Sequence, residues 1–161
     1  MSDDTHLQAA DEPPADDPSH APEARQFDFW IGEWDVTWGE GERGTNRIES
    51  ILNDRVILEN FDGNPAMPFR GMSVSVYSPQ RGCWQQTWVD DTGNYWAFSG
   101  GFADRRMTLA TDDFVAGQPV KRRMVWYNIA PDSLDWNWER SDDGGATWKV
   151  LWALHYRRRS R

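Results

Sequence analysis

The feature that most constrains this chain is a repeating one. From Gln26 onward it divides into short runs in which large apolar residues alternate with polar ones, and turn residues separate the runs. A period of two sends successive side chains to opposite faces of an extended strand. Leu134, Trp136 and Trp138 interleaved with Asp135, Asn137 and Glu139 show the pattern. The runs fall at 31–38, 45–52, 55–61, 69–77, 83–89, 95–102, 105–111, 120–129, 133–140 and 147–157. Between them lie Asn53-Asp54, Ser78-Pro79-Gln80-Arg81-Gly82 and Asp90-Asp91-Thr92-Gly93, which read as turns. No stretch offers an amphipathic helix longer than a turn or two. Regular short strands joined tightly predict an all-β sandwich or an up-and-down barrel. Closure leaves no strand edge exposed, so the expected fold is a single closed antiparallel up-and-down β-barrel of about ten strands.

The core of such a barrel is available in the aromatic residues. Of 161 residues 11 are tryptophan, and each can bury on the order of 150–250 Å². Residues 1–25 differ in kind: they are rich in Asp, Pro, Ala and Ser and nearly devoid of large apolar side chains. Such a segment cannot bury enough surface to offset its ordering entropy, so 1–25 is expected to be a disordered acidic tail and 26–161 the barrel domain. Seven acids (Asp3, Asp4, Asp11, Glu12, Asp16, Asp17 and Glu23) and Arg25 give the tail a net charge of −6. The whole chain carries −9, which leaves −3 for the remainder. An acidic balance argues against a nucleic-acid partner. The single cysteine, Cys83, permits no intrachain disulfide and no cysteine metal cluster. The first residues form no secretory signal, and no apolar run reaches the roughly 18 residues a membrane helix needs. The expectation is a cytoplasmic protein with no membrane partner, a homodimer being left open.

Phe27-Asp28-Phe29-Trp30-Ile31-Gly32-Glu33-Trp34 resembles the opening of calycins, in which G-x-W starts the first strand. A short turn of helix at 27–30 is expected to close one end. The resemblance implies that Trp34 closes the barrel floor against a basic side chain of the last strand, either Arg157 or Arg158, with Arg157 taken as the candidate. Gly32 fits a sharp bend close to neighbouring backbone. Gly71-Met72-Ser73, Tyr77-Ser78-Pro79 and Trp88-Val89-Asp90 extend the likeness. Over about 26–159 the chain resembles a bacterial calycin-like family, the domain of unknown function 1579. That implies a fold and no particular activity. Ten strands exceed the eight of a lipocalin and approach fatty-acid-binding and nitrobindin-like barrels. The G-x-W-x-G-x-G of nitrobindins is not matched, since Asp35-Val36-Thr37 follows Trp34.

Alternation also assigns inner faces. Leu134, Trp136, Trp138 and Arg140 are expected inside on one strand, and Trp84, Gln86, Trp88 and Asp90 on another. On the last strand Trp148, Val150, Trp152, Leu154 and Tyr156 form the heavier face, with Leu151, Ala153 and His155 as the alternative. The candidate ligand site is therefore Trp88, Gln86, Asp90, Trp126, Trp136, Trp138 and Arg140. The indoles either line a cavity or fill the barrel, and ten strands make a wider barrel than eight. His155, the one histidine after the tail, would be the haem ligand of a nitrobindin-like barrel, but the preferred phase turns it outward. His6 and His20 stand far apart, so no cofactor and no metal are expected.

Other motifs read as structure. Ser141-Asp142-Asp143-Gly144-Gly145-Ala146-Thr147-Trp148 resembles the Asp-box hairpin of sialidase propellers, but one copy in so short a chain is a turn device and not a glycosidase. Asp90 and Asp91 suit a turn, with acid/base work in the barrel mouth as the alternative. Cys83 has no basic neighbour to activate it. Lys121-Arg122-Arg123 and Arg157-Arg158-Arg159-Ser160-Arg161 read as solvated faces, with anion binding as the alternative. The leading expectation is a module that binds a small apolar or aromatic molecule, oriented by Arg140 or Gln86. The alternatives are a lyase, isomerase or hydrolase of the same fold using Asp90 or His155, and an interaction protein with a filled barrel and the tail as its contact.

Overall fold

The structure, a computed structural model, describes residues 21–160. The expected acidic tail lies outside these residues up to position 20, together with His6 and His20. Ten strands follow: β1 Gly32–Trp38, β2 Glu42–Ile51, β3 Val56–Asp62, β4 Arg70–Ser78, β5 Cys83–Asp90, β6 Tyr95–Ala103, β7 Arg106–Val115, β8 Gln118–Tyr127, β9 Ser133–Ser141 and β10 Lys149–Arg158. Every strand pairs antiparallel with its sequence neighbour, and β1 pairs with β10, so the sheet closes into a barrel. The all-β, ten-stranded expectation holds, and the architecture fits a calycin-like fold.

Turn chemistry sets where the strands end. Asp104-Arg105 and Ala116-Gly117 adopt left-handed backbone and make two-residue hairpins, whose twist matches that of paired strands. The second of these carries β7 and β8 several residues beyond the runs read from alternation. Lys121 pairs with Asp112 and Arg122 with Asp113, both at 2.7 Å, and hold the extension together. The Asp-box is a turn, as its chemistry requires. Asp143 accepts from the Thr147 amide at 2.8 Å and from the Thr147 and Ser141 hydroxyls, while Ser141 Oγ accepts from the Gly145 amide.

One end of the barrel is plugged by the chain that leads into it. The 3-10 turn Asp28–Trp30 places Phe27 in stacking contact with Trp30 at 4.9 Å and edge-on to Trp84 and Trp126. Phe27, Trp30, Trp34, Trp84 and Trp126 are all buried. At about 25 cal/mol per Å², each indole contributes on the order of 4 kcal/mol of transfer free energy before its ordering entropy. Packing against the barrel begins before Gln26. A first 3-10 turn, Pro22–Arg25, buries Ala24, and the Glu23 carbonyl accepts the Trp84 indole N–H at 3.2 Å.

Closure runs through Arg158 and not Arg157, which corrects the candidate drawn from the resemblance. Arg158 lies 4.1 Å from the Trp34 ring and donates to the Ile31, Phe29 and Pro131 carbonyls. Strand alternation is the reason: Arg157 stands one residue out of phase, opposite Asp35, and is exposed. Gly32 has φ +140°, and a Cβ there would overlap the Arg158 guanidinium, so bend and close approach both require glycine.

Candidate functional site

Beyond this plug, toward the end that carries the β5–β6 turn, the inward side chains do not fill the barrel. They leave a cavity of about 290 Å³, close to the lower bound of roughly 300 Å³ for small-molecule sites. Six tryptophans line it: Trp88, Trp96, Trp126, Trp136, Trp138 and Trp152, with Phe61, Phe69, Phe98, Met124 and Leu154 between them. Edge-to-face contacts hold the rings in place: Trp96 with Trp138 and Trp136 with Trp152 at 5.9 Å, Trp126 with Trp136 at 6.3 Å. Trp126 is buried, whereas the other five are only partly so, because empty space lies against them. Trp88 lies over β4 because residue 71 is glycine, where a Cβ would overlap its ring.

The polar feature of the cavity is one that alternation with apolar neighbours reveals and charge alone conceals. Glu59 sits in β3 in phase with Ile57 and Phe61, so its carboxyl faces inward and is buried. Ser73 Oγ donates to one of its oxygens at 2.6 Å and Asn46 Nδ2 to the other at 2.7 Å. Asn46 also donates to the Tyr156 hydroxyl at 3.1 Å. Burial raises the Glu59 carboxyl from 4.5 to about 7, against the opposing effect of the Ser73 and Asn46 hydrogen bonds. Burial first, then the nearby Glu59 carboxylate, pushes the Tyr156 phenol upward as well. Glu59 and Tyr156 both line the cavity. β4 makes room for this cluster by turning Gly71, Ser73 and Ser75 inward and Met72, Val74 and Val76 outward.

Four of the expected ligand residues, Trp88, Trp126, Trp136 and Trp138, meet on the cavity wall, and Asp90 lies at its mouth. Asp90 is spent on its turn: it accepts from Thr92, Asn94 and, at 2.9 Å, the Trp88 indole N–H. Burial alone would raise its carboxyl, but the Thr92, Trp88 and Asn94 hydrogen bonds prevail and hold it down at about 2. It stays ionised and is a poor proton donor near neutrality. Gln86 faces inward yet is buried outside the cavity lining, bonded to Ser75 Oγ at 2.9 Å.

Arg140 does not reach the cavity; it turns to Asp142 in the β9–β10 hairpin. Its neighbour across the strands, Arg122, takes that place. The Arg122 guanidinium sits 5.5 and 5.7 Å from the Trp96 and Trp138 rings and binds Asp113 at 2.7 Å. The β10 phase holds from Trp152 to Tyr156, but a bulge at Leu151 breaks it above. Val150 is exposed there, and Trp148 lies outside against Arg123, 4.0 Å from its guanidinium. His155 is on the outer wall, its Nδ1 2.7 Å from Asp135. A haem in the cavity would find no imidazole there, so these residues do not fit that group. Among the described residues no cluster of three or more His, Cys, Asp or Glu could hold a metal, and no helix is long and apolar enough to cross a membrane.

No curated protein matches the chain in sequence. The model of one family, described as "Protein of unknown function (DUF1579)", matches residues 24–158, from the 3-10 turn that supports Trp84 to the arginine that closes the floor. The chain therefore belongs to the DUF1579 family.

Proposed function

We propose that the chain is a binding module that holds one small aromatic or apolar molecule inside the barrel. The observation that carries this reading is the set of five inward-facing indoles left half-buried around an unfilled cavity of about 290 Å³. A barrel evolved only for stability would pack that space, since voids cost free energy and interiors are normally close-packed. The volume suits a compact ring system better than a long acyl chain. A cytoplasmic setting, consistent with one free cysteine, is part of the same proposal.

Native mass spectrometry with added 3-methylindole tests it. The expected result is a single one-to-one adduct, lost when Leu154→Trp fills the cavity. Adducts that rise without saturation, or survive that substitution, would sink the reading. An enzyme of this fold is the second reading, favoured by one observation: Glu59, placed in the cavity with a carboxyl near 7, can exchange a proton at neutral pH.

A further inference from the structure

The cavity holds a buried carboxyl without a counter-charge. Glu59 has two hydrogen-bond donors, Ser73 and Asn46, and both are neutral. No lysine or arginine among the described residues pairs with it. A carboxylate has about four lone-pair positions, and these donors occupy one on each oxygen. A buried charge without a counter-charge is expensive, and such sites are completed either by a proton or by a cation from outside.

The surroundings favour the cation. Indole faces attract positive charge, most strongly where water is excluded. The mouth carries a second carboxylate, Asp90, held only by neutral donors, while the Arg122 guanidinium is already matched by Asp113. An anionic ligand would meet two carboxylates and one neutralised cation. We propose that the cavity selects an aromatic or apolar molecule bearing a protonated amine, with its ammonium on the Glu59 carboxylate and its ring against the indoles. This rests on the reading of the barrel as a binding module.

The proposal carries a proton signature. Free Glu59 shares its proton near pH 7, and an ammonium beside it favours the ionised form, so binding below that pH expels a proton. The flanking strands present only neutral side chains to it, Asn46 and Ile48 from β2 and Ser73 and Ser75 from β4. Tyr156 of β10 and Asp90 of β5 are the other titrating groups on the cavity, the first pushed up and the second held down, so neither changes charge between pH 6 and 8, and the Arg122 guanidinium of β8 is bound to Asp113.

Calorimetric titration of the full chain at pH 6 and pH 8 with tryptamine, 3-methylindole and indole-3-propionate tests this. Tryptamine is expected to bind at least tenfold tighter than 3-methylindole at pH 8, with indole-3-propionate weakest. Tryptamine affinity should fall about tenfold from pH 8 to pH 6, following the fraction of Glu59 ionised, while 3-methylindole stays constant. In Glu59→Gln the two affinities should converge and the pH dependence vanish, 3-methylindole binding serving as the check that the variant is folded. The comparison in the unaltered protein stands even if that variant does not fold. Equal affinity for tryptamine and 3-methylindole at pH 8, or tightest binding by the carboxylate, would overturn the amine inference and leave the binding module intact. Binding of none of the three would overturn the binding module and the inference with it.

Discussion

Replacing Glu59 by glutamine should separate the fold's dependence on pH into a part that belongs to one buried carboxyl and a part that does not. In the folded barrel this group titrates at about 7, against 4.5 for an unperturbed glutamate, and burial is the main cause. Below pH 4.5 it is neutral in both folded and unfolded chains, and its protonation adds no penalty. As pH rises through that value the unfolded chain loses its proton first, so folding stability falls by up to about 1.4 kcal/mol per pH unit. The loss ends once pH passes about 7, where the folded state ionises too. Over an interval of 2.5 units (7 minus 4.5) it reaches about 3 kcal/mol, equivalent to roughly 6–12 °C in Tm for a domain of this size. Glutamine keeps the shape and can still accept from Ser73 or Asn46, but it cannot ionise. Urea unfolding followed by tryptophan fluorescence, at half-unit steps from pH 5 to 8.5, gives the difference between variant and parent. That difference should grow in favour of Glu59→Gln as pH rises and level off by about pH 8. Two curves that stay parallel throughout would refute the placement of an uncompensated carboxyl in the core.

Arg158→Ala should cost about 2–4 kcal/mol in the same assay, since it removes three bonds to carbonyls and the contact with Trp34. Arg157→Ala, at an exposed position, should stay within about 0.5 kcal/mol, and the reverse order would undo the closure assignment. Gly71→Ala should push the Trp88 ring from its place, costing about 1–3 kcal/mol and weakening 3-methylindole binding in calorimetry. Asp90→Asn should lower stability by about 1 kcal/mol near neutral pH, a contribution present above the ordinary aspartate value and lost as pH falls through about 2. An Asp90 effect centred near pH 7 would mean its turn bonds are misassigned.

The strand count was legible because alternation and turn residues agree along the whole chain. The inner faces of β5 and β9 were legible because Trp84, Trp88, Trp136 and Trp138 fall in one phase each. Residues 148–151 were not, since a bulge at Leu151 shifts the phase and leaves no mark in residue type. Arg122 reads as part of a solvated basic run and Arg140 as inward, yet the two are cross-strand partners and it is Arg122 that lines the cavity. The hairpin contact with Asp142 diverts Arg140. Glu59 was missed because an acid in a strand reads as outward-facing. Its phase with Ile57 and Phe61 was the available signal, and the serines at 73 and 75 mark the polar pocket opposite.

Occupancy of the indole-walled cavity by one small molecule is read most directly at the indoles themselves. In a nitrogen-15 spectrum of the labelled protein each tryptophan side chain gives its own N–H signal, and titration with tryptamine reports where the ligand sits. Saturable shifts are expected for Trp88, Trp96, Trp136, Trp138 and Trp152, which line the cavity half-buried, with little change at Trp148 outside or Trp34 beneath the plug. Shifts confined to Trp148, or spread evenly over all the indoles without saturation, would contradict it.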